Sequence, residues 1–211
     1  MKGDDVVLKP VEPLGPWPLE GRFVALEPLE PRHHAGLVRV ADSEPDIWAY
    51  MPLDTAKGFA PRLAYIAGEN ARGAWRTYAV RRLADGALIG SSSYLAIAPA
   101  DARLEIGATW FMAAARGGAA NPEAKLLMLG NAFRAGFNRV EFKTDSNNAR
   151  SRAALAKLGA VEEGTLRGHM WMPPNLTRDK GYFRDSVYFS ILASEWPSVR
   201  AALERRLAAA G

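Results

Sequence analysis

Residues 113–121 of this chain could hold an anion. The run Ala113, Ala114, Ala115, Arg116, Gly117, Gly118, Ala119, Ala120, Asn121 is alanine or glycine at seven of nine positions. Side chains this small let backbone N–H groups approach a ligand closely. A helix is expected to follow, and a helix N-terminus presents unpaired N–H donors and a partial positive charge, which suits phosphate. Arg116 adds a full charge, and Asn121 is a good N-cap for that helix. The same composition also suits a connector that lets a helix and a sheet pack tightly, and local composition does not separate the two readings. The run is neither G-x-x-x-x-G-K-[ST] nor G-x-G-x-x-G with a following parallel strand and acid, so a nucleoside triphosphatase loop and a dinucleotide fold are not supported.

Other chemistry-bearing residues are few. His33 and His34 sit in a helical stretch and read as solvated, whereas the imidazole of His169, with an ordinary pKa near ~6.5, suits a proton acceptor. The sequence has no cysteine, which excludes disulfides, thiolate–metal sites and a cysteine nucleophile, and no metal is expected. The net charge is +4, with acids and bases interspersed, so most of the surface reads as solvated rather than as a nucleic-acid face. The exception is 139–157, where Arg139, Lys143, Arg150, Arg152 and Lys157 face only two acids. That stretch suits a small phosphorylated polyanion.

The elements that must position these groups follow from periodicity and punctuation. Strands are predicted at 22–29, 74–83, 87–97, 102–111, 139–144, 160–170 and 182–192, with Asp85-Gly86 marking a hairpin. Helices are predicted at 31–40, 60–71, 122–136, 148–158 and 198–207. The third has apolar residues on most sides and is therefore expected to lie buried against a sheet. Gly159 ends the fourth. Residues 1–19 read as an irregular arm, 20–197 as one domain, and 198–211 as a short C-terminal helix. The fold class is α/β (α+β), a mixed, mostly antiparallel sheet with helices on both faces. No apolar run approaches ~18 residues, so a membrane-spanning helix is ruled out, and without a secretory signal a cytoplasmic location is expected.

Taken in order, these segments resemble the GNAT superfamily of acetyltransferases, and within it the RimJ/RimL-type branch of protein N-terminal acetyltransferases. Arg116, Ala119 and Asn121 fill the first, fourth and sixth positions of the pattern [Q/R]-x-x-G-x-[G/A], with Ala119 standing where glycine is usual. Glu105-Ile106-Gly107-Ala108-Thr109-Trp110 resembles the strand entering that loop. Asn148-Ala149-Arg150-Ser151 resembles the family's N-x-x-S, and Arg184-Asp185-Ser186-Val187-Tyr188 its last strand. The resemblance spans about residues 20–197.

The resemblance implies acetyl-CoA as co-substrate and a primary amine as acceptor, with direct attack of the amine and no acyl-enzyme. It places the pyrophosphate at Arg116, Gly117, Gly118, Ala119, Ala120 and Asn121, and the pantetheine arm at the backbone of Trp110, Phe111 and Met112, in a gap between two splayed strands. It gives Asn148 to the cofactor and Ser151 to the leaving thiolate as general acid. Both residues are also ordinary helix caps. Where relatives carry a glutamate base, this chain has Met170, so His169, Glu105 and Asp185 are the candidate bases. His169 would face away from the site unless a bulge intervenes. Trp48, Tyr50, Trp75 and Trp171, with Asp185, are candidates for the acceptor wall. Residues 173–181 are longer than a tight turn and read as either a lid or a homodimer contact. Expected partners are thus acetyl-CoA and an amine, either a small molecule or a peptide or protein N-terminus, without membrane or nucleic acid.

Overall fold

A computed structural model describes residues 10–14, 18–52, 58–175 and 177–210. In chain order they form β1 (Leu19–Glu20), β2 (Val24–Pro28), α1 (Pro31–Asp42), α2 (Ala60–Ala71), β3 (Arg76–Arg82), β4 (Leu88–Ala98) and β5 (Arg103–Phe111). Then come α3 (Ala120–Arg134), β6 (Arg139–Asp145), α4 (Ala149–Leu158), β7 (Val161–Met172), β8 (Tyr182–Leu192) and α5 (Trp196–Ala208). The strands make one sheet in the order β1-β2-β3-β4-β5-β6-β8-β7. Every neighbouring pair is antiparallel except β5–β6, so the mixed α/β architecture read from the sequence is the one observed.

Two apolar clusters cover the two faces of the sheet. Alternate residues of β3 divide between them, as the two-residue period of a strand requires. Tyr78 and Val80 join Met128, Leu129, Leu155 and Leu203 of α3, α4 and α5, whereas Ala79 joins Leu37, Trp48 and Leu63 on the side of α1 and α2. The start of α3 is tied down by a buried carboxylate. Glu123 accepts the backbone N–H groups of Arg22, Phe23 and Val24 at 2.6–2.8 Å. Gly21 makes room for it, since a Cβ there would lie 2.4 Å from the Glu123 carboxyl carbon.

The sheet opens at its one parallel pair. β5 and β6 are matched only at residues 103–105 and 139–141, although both strands run on, to Phe111 and Asp145. β5 also bulges against β4, where Ala108 and Thr109 stand opposite Ser92 alone. Ala108 has φ 47°, a conformation that costs an alanine about 1 kcal/mol or more. Beyond Glu105 the β6-facing edge of β5 has no partner strand.

Several boundaries differ from expectation. Residues 1–9 and 15–17 of the predicted arm lie outside the described residues, but Leu19 already pairs with Leu26, so the sheet begins inside that arm. α5 starts at Trp196, before the expected boundary at 197, and inserts Val199 and Leu203 into the larger cluster. β7 and β8 slip past each other between Leu166 and Met170, where residues 167–169 of β7 stand opposite Asp185 alone. His169 lies within that irregularity and is exposed.

Candidate active site

The gap between β5 and β6 is a cavity of about 430 Å³. One end is walled by Arg116, Gly117, Asn121 and Pro122 before and within α3, by Asn148, Arg150 and Ser151 of α4, and by Arg206 of α5. The other end is walled by Tyr50, Met51, Arg62, Trp75, Glu105, Lys143, Met170 and Arg184.

At the first end the backbone is open. The N–H groups of Gly117, Gly118, Ala119, Ala120 and Asn121 donate to nothing among the described residues, and the first bond of α3 runs from Glu123 N–H to the Ala119 carbonyl at 2.9 Å. Gly117 has φ 78°, a left-handed conformation that favours glycine. Arg116 donates from Nε to the Phe111 carbonyl at 2.8 Å and reaches Glu44 at 3.4 Å. Burial, with Arg150 nearby, lowers its pKa. The arrangement is a row of free donors at a helix start beside two guanidinium groups, which can bind a pyrophosphate.

Two expectations at this end, the Asn121 cap and the Met112 backbone, are corrected. Asn121 does not cap α3; the capping position is Ala119, and Asn121 is the second helical residue with its amide oxygen buried and unpaired. The family-level departure at Ala119 carries no backbone strain, because φ −75° and ψ −22° are ordinary for alanine. Met112 cannot offer its N–H to a ligand, since it already donates to the Ile89 carbonyl at 2.8 Å. Phe111 and Trp110 line the cavity, but the Phe111 carbonyl is engaged by Arg116. Gly118, Ala119, Ala120 and Met112 are not among the lining residues.

Asn148 and Ser151 come together at the start of α4. The Asn148 side chain accepts the Ser151 N–H at 3.0 Å, so Asn148 is the helix cap. The Ser151 hydroxyl makes no hydrogen bond among the described residues, and Ser151 lines the cavity.

Across the cavity, Glu105 is 4% exposed and accepts from Lys143 Nζ at 2.9 Å. Gly107 clears space for the carboxylate, as a Cβ there would lie 2.5 Å from Glu105 Oε1. Lys125 reaches the same region from α3. Its Nζ donates to Thr109 Oγ1 at 3.0 Å, at the bulge, and lies 5.5 Å from the centre of the Phe142 ring. Burial brings the Lys125 pKa down to about 7, opposed by Glu105.

The remaining predicted residues fall outside the cavity wall, two aromatics excepted. His169 is exposed; its Nδ1 lies 3.0 Å from Ser186 Oγ and its Nε2 3.5 Å from the Tyr188 hydroxyl. Desolvation, then Lys143 and Arg184, lower its pKa. Asp185, on the strand position next to Arg184, accepts the Gly168 N–H at 2.7 Å instead of facing the site. Trp48 is a core residue, stacked on Phe59 at 4.9 Å and set edge-on to Trp110 at 5.7 Å, so it supports the wall from behind. Trp171 is half exposed against Phe183, away from the cavity. Trp75 and Tyr50 do line it. In the 173–181 segment, Asn175 donates to the Trp48 carbonyl at 3.0 Å and Arg178 to that of Ala49 at 2.7 Å.

Lys125, Arg62, Arg184 and Glu44 escaped the sequence reading as site residues, and Lys143 entered it only within the basic stretch. A signal existed for Lys125: a lysine on a helix read as apolar nearly all round must be buried with a partner. The basic cluster of 139–157 is largely neutralised, with Arg139 paired to Glu141 and Glu163, Lys143 to Glu105, and Arg152 to Glu162. Arg150 instead faces the cavity.

Residues 24–161 match the family model of the acetyltransferase (GNAT) domain. A search of curated proteins finds no match. Among solved structures, a protein from T. thermophilus classed as an acetyltransferase is 36% identical with a TM-score of 0.78, over 92% of this chain and 98% of that one. A GCN5-related N-acetyltransferase from Brucella melitensis is 27% identical with a TM-score of 0.80, over 94% and 89%. RimJ of Mycobacterium smegmatis, in complex with CoA-disulfide, shares the fold at 24% identity and a TM-score of 0.72, over 91% and 92%. With a splayed sheet, an open helix start and these matches, the chain belongs to the GNAT family of acetyltransferases and is an acyltransferase.

Proposed function

We propose that the protein moves an acetyl group from acetyl-CoA to a primary amine, in the manner of the RimJ/RimL-type branch, by direct attack of the neutral amine on the thioester carbonyl. The observation that carries this reading is the row of five N–H groups without a partner among the described residues, Gly117 to Asn121, whose two ends, Gly117 and Asn121, line a cavity that also holds a buried carboxylate. In this reading Arg116 and the α3 start hold the pyrophosphate, and the pantetheine arm lies along the unpaired edge of β5. A free backbone N–H of that edge steadies the oxyanion as the C–N bond forms, a contribution that is commonly large in acyl transfer. The thioester C–S bond then breaks, and the departing thiolate takes the proton of the Ser151 hydroxyl as Ser151 takes one in turn from water in the cavity.

Glu105 is the proton acceptor for the attacking nitrogen, directly or through a water. It lines the cavity, whereas His169 and Asp185 do not. Lys143 holds the Glu105 carboxylate in place. Met170 also lines the cavity and adds apolar wall without taking a proton. The acceptor can be a protein N-terminus, a peptide or a small amine. Incubating the protein with acetyl-CoA and a panel of such amines, read by mass, should give a gain of one acetyl group on an acceptor with equimolar free CoA thiol. Binding of acetyl-CoA with no acetylated acceptor across the panel would contradict this reading and favour a CoA-binding protein without turnover.

A further inference from the structure

Two arginines at the acceptor end have no carboxylate partner among the described residues. Arg184 of β8 is 4% exposed and lines the cavity, and its guanidinium makes one hydrogen bond there, from Nε to Ser186 Oγ at 2.9 Å. Asp145 and Glu105 attract it from beyond ion-pair distance. Each of those acids is otherwise engaged, Asp145 by the Tyr182 hydroxyl and the Asn147 N–H, and Glu105 by Lys143. Arg62 of α2 also lines the cavity, with its guanidinium carbon 4.8 Å from the Tyr65 ring centre and 5.3 Å from that of Trp75.

An arginine cannot shed its proton to relieve burial, and the terminal nitrogens of Arg184, unpaired among the described residues, open on the cavity, where a ligand can take their hydrogen bonds. Its planar fork matches an anionic oxygen group with two acceptors on one side. The surrounding charge agrees. Arg62 and Arg184, with the paired Lys143 and with Lys125, whose pKa burial brings down to about 7, line the cavity against Glu105, the one carboxylate among the described lining residues. A simple ammonium ion would be repelled on entry. A molecule that joins its amine to an anion enters without net charge, and nearby cations then favour the neutral, nucleophilic form of the amine.

We infer that the acceptor is a primary amine bearing an anionic oxygen group, carboxylate or phosphonate, a few bonds from its nitrogen, and that Arg184, aided by Arg62, binds that group. This rests on the amine-acceptor reading above and narrows it to a substrate class. The test uses matched acceptors with acetyl-CoA and a thiol-release readout. Each set holds an amino acid, its aminophosphonate analogue and its carboxamide, and a parallel set holds short peptides that differ only as Asp against Asn near the N-terminus. The anionic members should exceed their amides at least tenfold in kcat/KM, and Arg184→Gln should bring that ratio close to one while Arg184→Lys retains part of it. Amides that perform as well as the acids in the wild-type protein would overturn the inference. So would an unchanged ratio in a folded Arg184→Gln. If that variant fails to fold, the wild-type ratio and Arg62→Gln, expected to lower it, decide the matter. Acetylation of no member of any set, with acetyl-CoA still bound, would overturn the amine-acceptor reading itself, and this inference with it.

Discussion

Two helices begin beside the same cavity and begin differently. α4 opens with a side-chain cap, Asn148 taking the N–H of Ser151, so part of its first turn is already satisfied. α3 opens at Ala119 without one, and the five N–H groups from Gly117 to Asn121 are unspent. A missing cap alone does not mark a site, because α2 and α5 also start without a side-chain cap hydrogen bond. What distinguishes α3 is that Gly117 and Asn121, at the two ends of its open row, line a cavity beside Arg116 and Arg150. Under the proposed function the two starts divide the labour: the open one receives an anion, and the closed one presents the Ser151 hydroxyl.

The largest effect that would sharpen this contrast is chemical. Ser151→Ala should lower kcat by roughly 100-fold, in line with loss of a general acid, while the dissociation constant for CoA barely changes. Turnover that survives at saturating substrate would remove Ser151 from the mechanism. The reverse pattern is expected at α3. Ala119→Asp places a carboxylate at the open start, where it suits the helix dipole but opposes phosphate, so CoA binding should weaken at least tenfold by calorimetry without loss of thermal stability. Equal binding would mean that the phosphates lie elsewhere.

Smaller effects are expected in stability. Asn148→Ala should cost about 1 kcal/mol, the usual value of a lost cap, seen as a lower urea midpoint. Lys125 supplies a pH signature. Its native pKa of about 7 lies below the ordinary lysine value of 10.5, so between these values the unfolded chain binds the extra proton and stability rises with pH. The slope is at most about 1.4 kcal/mol per pH unit. Lys125→Met should flatten that rise in urea midpoints between pH 7 and 9.5. Identical slopes in both proteins would show that the Lys125 amine is not desolvated.

Elements with a glycine shortly ahead of them were legible in the sequence. The helix over 60–71 and the strand over 182–192 coincide with α2 and β8, the first with Gly58 ahead of it and the second following Gly181. The loop at Arg116 was legible as small residues before a helix, although its donors were not, because free N–H groups depend on a start one residue before Asn121. Asn121 itself misled, since a good capping residue need not occupy the capping position when Ala119 takes it. The acceptor end was least legible. His169 depends on a slip between β7 and β8, Trp48 on which cluster its ring joins, and Arg184 on the engagement of acids far away in sequence. Periodicity assigns a face to a residue, but it does not report which neighbouring charges are already paired.

The central claim is that the open start of α3, with Arg116, holds the diphosphate of acetyl-CoA. Titration calorimetry of acetyl-CoA into the full chain and into Arg116→Ala tests it most directly. Micromolar binding to the wild-type protein, weakened at least tenfold in the variant, is the predicted result. No binding at micromolar concentration, or the same dissociation constant in both proteins, would contradict it.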